Sequence, residues 1–213
     1  MSVKYDVAKA TVSLLVGLTI MASAAVSPAE SASVDGKVYS APSYALVSGG
    51  LPTEPCQGSC SNAYQSLESA VMASTNEERA KRGLKTLQWD DQLADIARSH
   101  SEDMAARNYF SHVNPEGQMA TDRARESGYD TYKDLGNGYA MNGIGENLVK
   151  IPLGNVKGVG VVTNDPRSVA NASITLWLGS PSHRANMLND RYDHIGVGVE
   201  FDGRNYLITE NFQ

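Results

Sequence analysis

The C-terminal end of the chain constrains its fold most. "HIGVGVEF" and "RNYLITENF" are two runs with alternating apolar residues, joined across Asp202-Gly203. Alternation is the period of a half-buried strand, and Asp-Gly is a turn dipeptide, so the pair reads as a β-hairpin. Upstream, the period changes to that of helices. "AYQSLESAVMASTNEERAKRG" reads as a helix ending at Gly83, and "LKTLQW" follows as a connector with Leu84, Leu87 and Trp89 as anchors. Asp90 is an N-cap for "DQLADIARSHSEDMAARN", whose apolar stripe is Leu93, Ile96, Ala97, His100 and Met104. "MATDRARESG" predicts a short helix stopping at Gly128. The glycine-rich stretch 135–162 reads as loops around one strand near Glu146–Val149. Asp165-Pro166 and Ser180-Pro181 each place a cap before a proline at the first helical position. They open "RSVANASITLWLG" and "SHRANML". Helices and antiparallel strands interleave without βαβ spacing, which predicts an α+β fold.

The 213 residues suit one domain plus a tail. The first 24 residues carry Lys4 and Lys9, an apolar stretch, and Ala22-Ser23-Ala24. This is the three-part layout of a secretory signal peptide; a retained membrane anchor is the alternative. No other segment approaches spanning length, so no membrane span is expected after signal removal. The net charge is −6 with no long basic run, which argues against nucleic acid and against tight docking on anionic membranes. Residues 25–63 are rich in Ser, Pro, Gly and Ala and read as a linker. Export makes a disulfide between Cys56 and Cys60 plausible, although so small a loop contributes little entropically. The folded domain is expected over 64–213.

Several catalytic signatures are missing. There is no HExxH, no GxSxG and no phosphate-cradling glycine loop. Both cysteines lie in the linker, away from any histidine. Four polar residues stand in apolar or turn settings: His112 at a helix exit, Glu146 in "IGENL", His183 in the first turn after Ser180, and His194 before the hairpin. Two histidines and a carboxylate are a transition-metal ligand set, and equally a common buried hydrogen-bond network. Spacing alone does not choose between them. His100 reads as a packed histidine, His194 as a surface or edge residue, Asn147 as a turn or network residue, and Arg184 as a structural clamp on carbonyls or a carboxylate.

"NEERAKRGLKTLQWDDQLADIARSHSEDMAARNYFSHVNPEG", "GENL", "WLGSPSHRANMLN", "HIGVGV" and "ITENF" occur in that order. Together they closely resemble the bacterial branch of the CAP superfamily, the SCP-like extracellular domain, over roughly residues 65–213. The resemblance implies an α-β-α sandwich with a small antiparallel sheet between helices. It implies a secreted or cell-envelope protein with a cleft holding two histidines and two glutamates, sometimes with a divalent metal such as zinc. Carried over residue by residue, these are His112, Glu146 and His183. The second glutamate, three residues after the helix tryptophan, falls at Ser180, so the tetrad is incomplete.

Without a nucleophile–base pair, the chain is expected to be a non-enzymatic binding module. Its ligand would be a small apolar molecule, a peptide, a cell-envelope component or a divalent metal held by His112 and His183 with Glu146 assisting. Two readings compete with it. One is a metal-assisted peptidase using His112, His183 and Glu146; the other is a structural cell-surface protein tethered by 25–63.

Overall fold

The computed structural model of the chain describes Leu51 and residues 61–213. The expected signal peptide, most of the expected linker, and the Cys56–Cys60 pairing lie outside the described residues. Two features of the expected linker are described. Leu51 is buried, and its carbonyl accepts from Asn164 Nδ2 at 2.6 Å. Helix α1 already begins at Ser61 and runs Ser61–Ala80.

The fold is α+β. After α1 come β1 (Gln88–Trp89), α2 (Asp91–Ala106), α3 (Ala120–Glu126), β2 (Tyr132–Gly136), β3 (Tyr139–Asn142) and β4 (Gly145–Pro152). Then follow β5 (Gly154–Val156), β6 (Gly160–Val162), α4 (Pro166–Gly179), α5 (Pro181–Met187), β7 (His194–Phe201) and β8 (Asn205–Phe212). The main sheet has the order β1-β7-β8-β4. The hairpin β7–β8 and the pair β4–β8 are antiparallel, but β1 pairs with β7 in parallel through Gln88↔His194 and Trp89↔Ile195. The expected connector therefore contributes a two-residue edge strand, and the sheet is not purely antiparallel. The glycine-rich stretch holds more than one strand: β2–β3 and β5–β6 form two small ribbons beside β4. The turn of the first is Asn137-Gly138, both at positive φ (54° and 79°), as a tight hairpin turn demands.

Two expected caps hold. The Asp90 carboxylate accepts from Leu93 N, and that of Asp165 from Ser168 N. The third does not: Ser180 stands at the start of α5, but its side chain makes no cap hydrogen bond.

Helix α2 packs on β7 and β8, while α1 packs on β7 and α4, and α4 and α5 pack on β4. The strand "HIGVGV" explains how the two sides differ. Ile195, Val197 and Val199 belong to the main apolar core with Leu67 and Val71 of α1 and Trp177 of α4. Gly196 and Gly198 lie at the alternate positions. A Cβ built on them would come within 2.1 Å of Ala94 N and Arg98 N, respectively. Only glycine admits the backbone of α2 so close to the sheet.

Candidate functional site

Three separate segments bring the predicted residues together. His112 lies in the loop between α2 and α3, Glu146 on β4, and His183 on α5. His112 Nδ1 meets Glu146 Oε1 at 2.8 Å, and the His112 and His183 rings are 6.1 Å apart at 41°. A carboxylate only accepts, so Nδ1 of His112 carries the proton. The other ring nitrogen, Nε2, makes no hydrogen bond to any described residue. His112 is well exposed, with 45% of its side chain accessible; Glu146 is sunk beneath it at 4%.

A buried carboxylate needs further partners, and Glu146 finds one that the sequence analysis did not single out. Arg123 of α3 places Nη2 at 2.5 Å from Glu146 Oε2. Its Nη1 donates to the carbonyls of His112 and Gln118, at 3.0 and 2.9 Å. One guanidinium thus fixes the carboxylate and the loop that carries His112. Both oxygens of Glu146 are engaged, one by each neighbour.

His183 is held through its backbone. Asn147 Nδ2 donates to His183 O at 3.1 Å. Asn186 of α5 donates to Glu146 O and to Asn147 Oδ1, both at 3.0 Å. Beneath them Glu210 of β8 is fully buried. Its Oε1 accepts from Thr75 Oγ1 at 2.6 Å and its Oε2 from Asn147 Nδ2 at 3.3 Å. Burial pushes Glu210 up to about 8, against the lowering effect of those two donors. It is a neutral acid below that pH. Burial also holds His183 below the ordinary imidazole value, and the neighbouring His112 adds to the effect. Neutral imidazole is the ligating form.

Ser180, at the position of the second glutamate, meets Ser182 Oγ at 3.4 Å and supplies no carboxylate. His100 is buried on α2, with Nε2 at 3.0 Å from Ser111 O. His194 is partly exposed beside Asp193. Arg184 is exposed, and the carbonyl clamp expected there is Arg79 instead. The fully buried Arg79 guanidinium donates to Lys85 O, Met187 O, Asn189 O and Tyr192 O. Asn186 had a signal in the sequence, lying three residues after His183 on one helix. Arg123 and Glu210 had none, because nothing local separates them from other charged residues.

The family model described as "CAP: Cysteine-rich secretory protein family" matches residues 72–212. The chain belongs to this family. It is a CAP domain of the bacterial kind, similar to two proteins of Bacillus subtilis (strain 168). It is 36% identical over 145 residues to the uncharacterized protein YkwD and 34% identical over 145 residues to the uncharacterized membrane protein YlbC. These matches take in 68% of this chain, but only 47% and 34% of the two relatives. Among solved structures, the CAP fold matches an extracellular protein containing a SCP domain from Bacillus anthracis str. Ames. That match has 30% identity and a TM-score of 0.53, covering 74% of this chain and 44% of that one. An outer surface protein from Borrelia burgdorferi shares the fold at TM-score 0.51 and 19% identity, covering 69% of this chain and 92% of that one. Among the described residues, no helix is long and apolar enough to cross a membrane.

Proposed function

We propose that this CAP domain is a secreted binding module and that His112 and His183 are the groups that meet its ligand. The observation that carries this reading is the double engagement of Glu146. A hydrolase built on these residues would need a free general base. Here the carboxylate is spent on orienting His112 and pairing with Arg123. That arrangement presents His112 Nε2 outward as a fixed acceptor. Exposed Phe110, Val113 and Met119 stand in the same loop, which suits a ligand with an apolar part, such as a peptide side chain or a small amphipathic molecule.

The donor set also suits a divalent ion such as zinc, within limits. In a tetrahedral site with zinc–nitrogen bonds of about 2 Å, two ligating imidazoles have centroids about 5 to 5.5 Å apart; these lie at 6.1 Å, so the rings must close slightly to share an ion. His112 and His183 would hold the ion, with Glu146 as the acceptor that fixes the His112 tautomer. Among the described residues no group of three His, Cys, Asp or Glu side chains is placed to hold a metal. The pair therefore suits an exchangeable ion whose other positions go to the ligand or to water, not a closed structural centre. Secretion is supported by the N-terminal sequence and by the similarity to an extracellular protein containing a SCP domain from Bacillus anthracis.

Zinc titration of the purified chain by calorimetry tests the reading. Wild type is expected to take one ion, and His112→Ala/His183→Ala to lose it. Undiminished binding by the double variant would overturn the assignment. Casein hydrolysis that the double variant loses would instead favour the peptidase.

A further inference from the structure

Two Asn-Gly pairs lie close together along the chain, Asn137-Gly138 and Asn142-Gly143. Such a pair carries chemistry as well as a turn. Glycine has no Cβ to shield its amide nitrogen, and that nitrogen can attack the side-chain carbonyl carbon of the asparagine before it. Sequence does not separate the two pairs, and both asparagines are exposed. Their surroundings differ.

Asn142-Gly143 is tied down at both reacting ends. Asn142 Oδ1 accepts from Arg125 Nη2 at 2.9 Å and from Thr131 Oγ1 at 3.1 Å. Gly143 N, which would attack, donates to Thr131 O at 2.9 Å. Gly143 is also packed, since a Cβ built on it would stand 2.9 Å from Thr121 Oγ1. At Asn137-Gly138 nothing holds either end. Among the described residues, neither the Asn137 carboxamide nor Gly138 N has a hydrogen-bond partner. The pair forms the exposed tip between β2 and β3, closed behind it by Gly136↔Tyr139. A Cβ built on Gly138 meets nothing within 4 Å, so the peptide between the two residues has room to rotate into position for attack. The remaining turn of this type among the described residues, Asp202-Gly203, is held instead. Asp202 Oδ1 accepts from the amides of Arg204 and Asn205 at 2.9 and 2.7 Å, and Oδ2 from Lys150 Nζ at 3.0 Å. An ionised carboxylate in ion-pair contact is a poor electrophile.

We infer that Asn137 is a self-modification site, converted through a succinimide by attack of Gly138 N, and that Asn142 is protected by the fold. Hydroxide takes the proton from Gly138 N, which bonds to Asn137 Cγ. The side-chain carbon–nitrogen bond breaks, and the nitrogen leaves as ammonia. Water then opens the ring at one of its two carbonyls. One opening gives aspartate; the other gives isoaspartate, in which the main chain runs through Cβ and Cγ. Both products add a negative charge to the tip. Isoaspartate also lengthens the backbone by one atom in a two-residue turn whose length sets the strand register, so it breaks the Gly136↔Tyr139 closure. The base of the ribbon stays in place, because Met141 packs on the main core and Thr131 holds Asn142.

The test is a time course of the purified full chain in mildly alkaline buffer, folded and unfolded in urea, read by tryptic mapping with mass spectrometry. The peptide 134–150 carries both asparagines, so backbone fragmentation assigns the site and separates aspartate from isoaspartate. In the folded chain, Asn137 is expected to convert at least tenfold faster than Asn142, with both products present. In urea the two asparagines are expected to convert at rates within about threefold of each other, because only the fold distinguishes them. Gly138→Val, which shields the attacking nitrogen, is expected to slow conversion of Asn137 at least tenfold in urea, where the turn geometry no longer matters. Equal rates at the two sites of the folded chain, or an Asn137 that stays intact in the folded chain while it converts in urea, would overturn the inference.

Discussion

Replacing Glu210 by glutamine isolates one group whose titration sets stability against pH. Glu210 is fully buried on β8, with Thr75 Oγ1 and Asn147 Nδ2 as its donors. Burial pushes it up to about 8 in the fold from an ordinary value of 4.5. The folded chain therefore holds this proton at pH values where the unfolded chain has released it. The sign follows from linkage: the contribution is complete below about 4.5 and is lost as pH rises through about 8. Each pH unit in that window is worth about 1.4 kcal/mol, so raising the pH from 5.5 to 8.0 removes about 3 kcal/mol. Glutamine keeps the shape and the neutral charge and does not titrate. His100 and His183 lie below their ordinary values, so they contribute in the opposite sense as pH falls through about 6.5. They are common to both proteins and cancel in the difference. Urea unfolding of wild type and Glu210→Gln at several pH values reads this directly. The stability of wild type relative to the variant should fall by about 3 kcal/mol between pH 5.5 and 8.0. Parallel curves would refute the reasoning and place Glu210 in a wetter setting than its burial indicates.

Three further outcomes follow from the packing. Gly198→Ala puts a Cβ against the backbone of α2 and should lower stability by about 3 kcal/mol or more, measured by thermal melting; a neutral result would mean that α2 slides freely on the sheet. Arg79→Lys replaces a fork that holds four carbonyls with a point donor and should cost about 3 kcal/mol. Faster amide exchange over residues 187–192 would accompany that loss and is its more specific sign. Asp165→Ala removes the α4 cap and should cost about 1 kcal/mol in chemical denaturation.

What the sequence disclosed depended on whether the signal was local. Asp90 and Asp165-Pro166 announce helix starts because a cap acts within three residues. The terminal hairpin is equally plain, since period and turn agree. Asn137-Gly138 carried the same turn signal, but the glycines around it made the segment resemble a loop, and β2–β3 was passed over. Strand β1 has only two residues and pairs in parallel with a strand far along the chain, so no local pattern marks it. Ser180-Pro181 shows the limit of motif reading: the proline starts the helix without help from the serine hydroxyl. In the site, His112, Glu146 and His183 were legible as residue types in matching motifs. Arg123 was not, because an arginine on a short helix is ordinarily solvated, and only the tertiary fold turns it onto Glu146. Glu210 was hidden for the converse reason, as a charge in an alternating strand usually faces water.

His112, oriented by Glu146, and His183 are proposed together as the ligand-meeting pair. Long-range nitrogen–proton spectra of the imidazole rings, recorded with and without zinc, test it most directly. His112 should appear as the Nδ1–H tautomer, and zinc should shift resonances of both His112 and His183 while leaving those of His194 unmoved. An Nε2–H tautomer at His112, or zinc shifts confined to His194, would contradict the account.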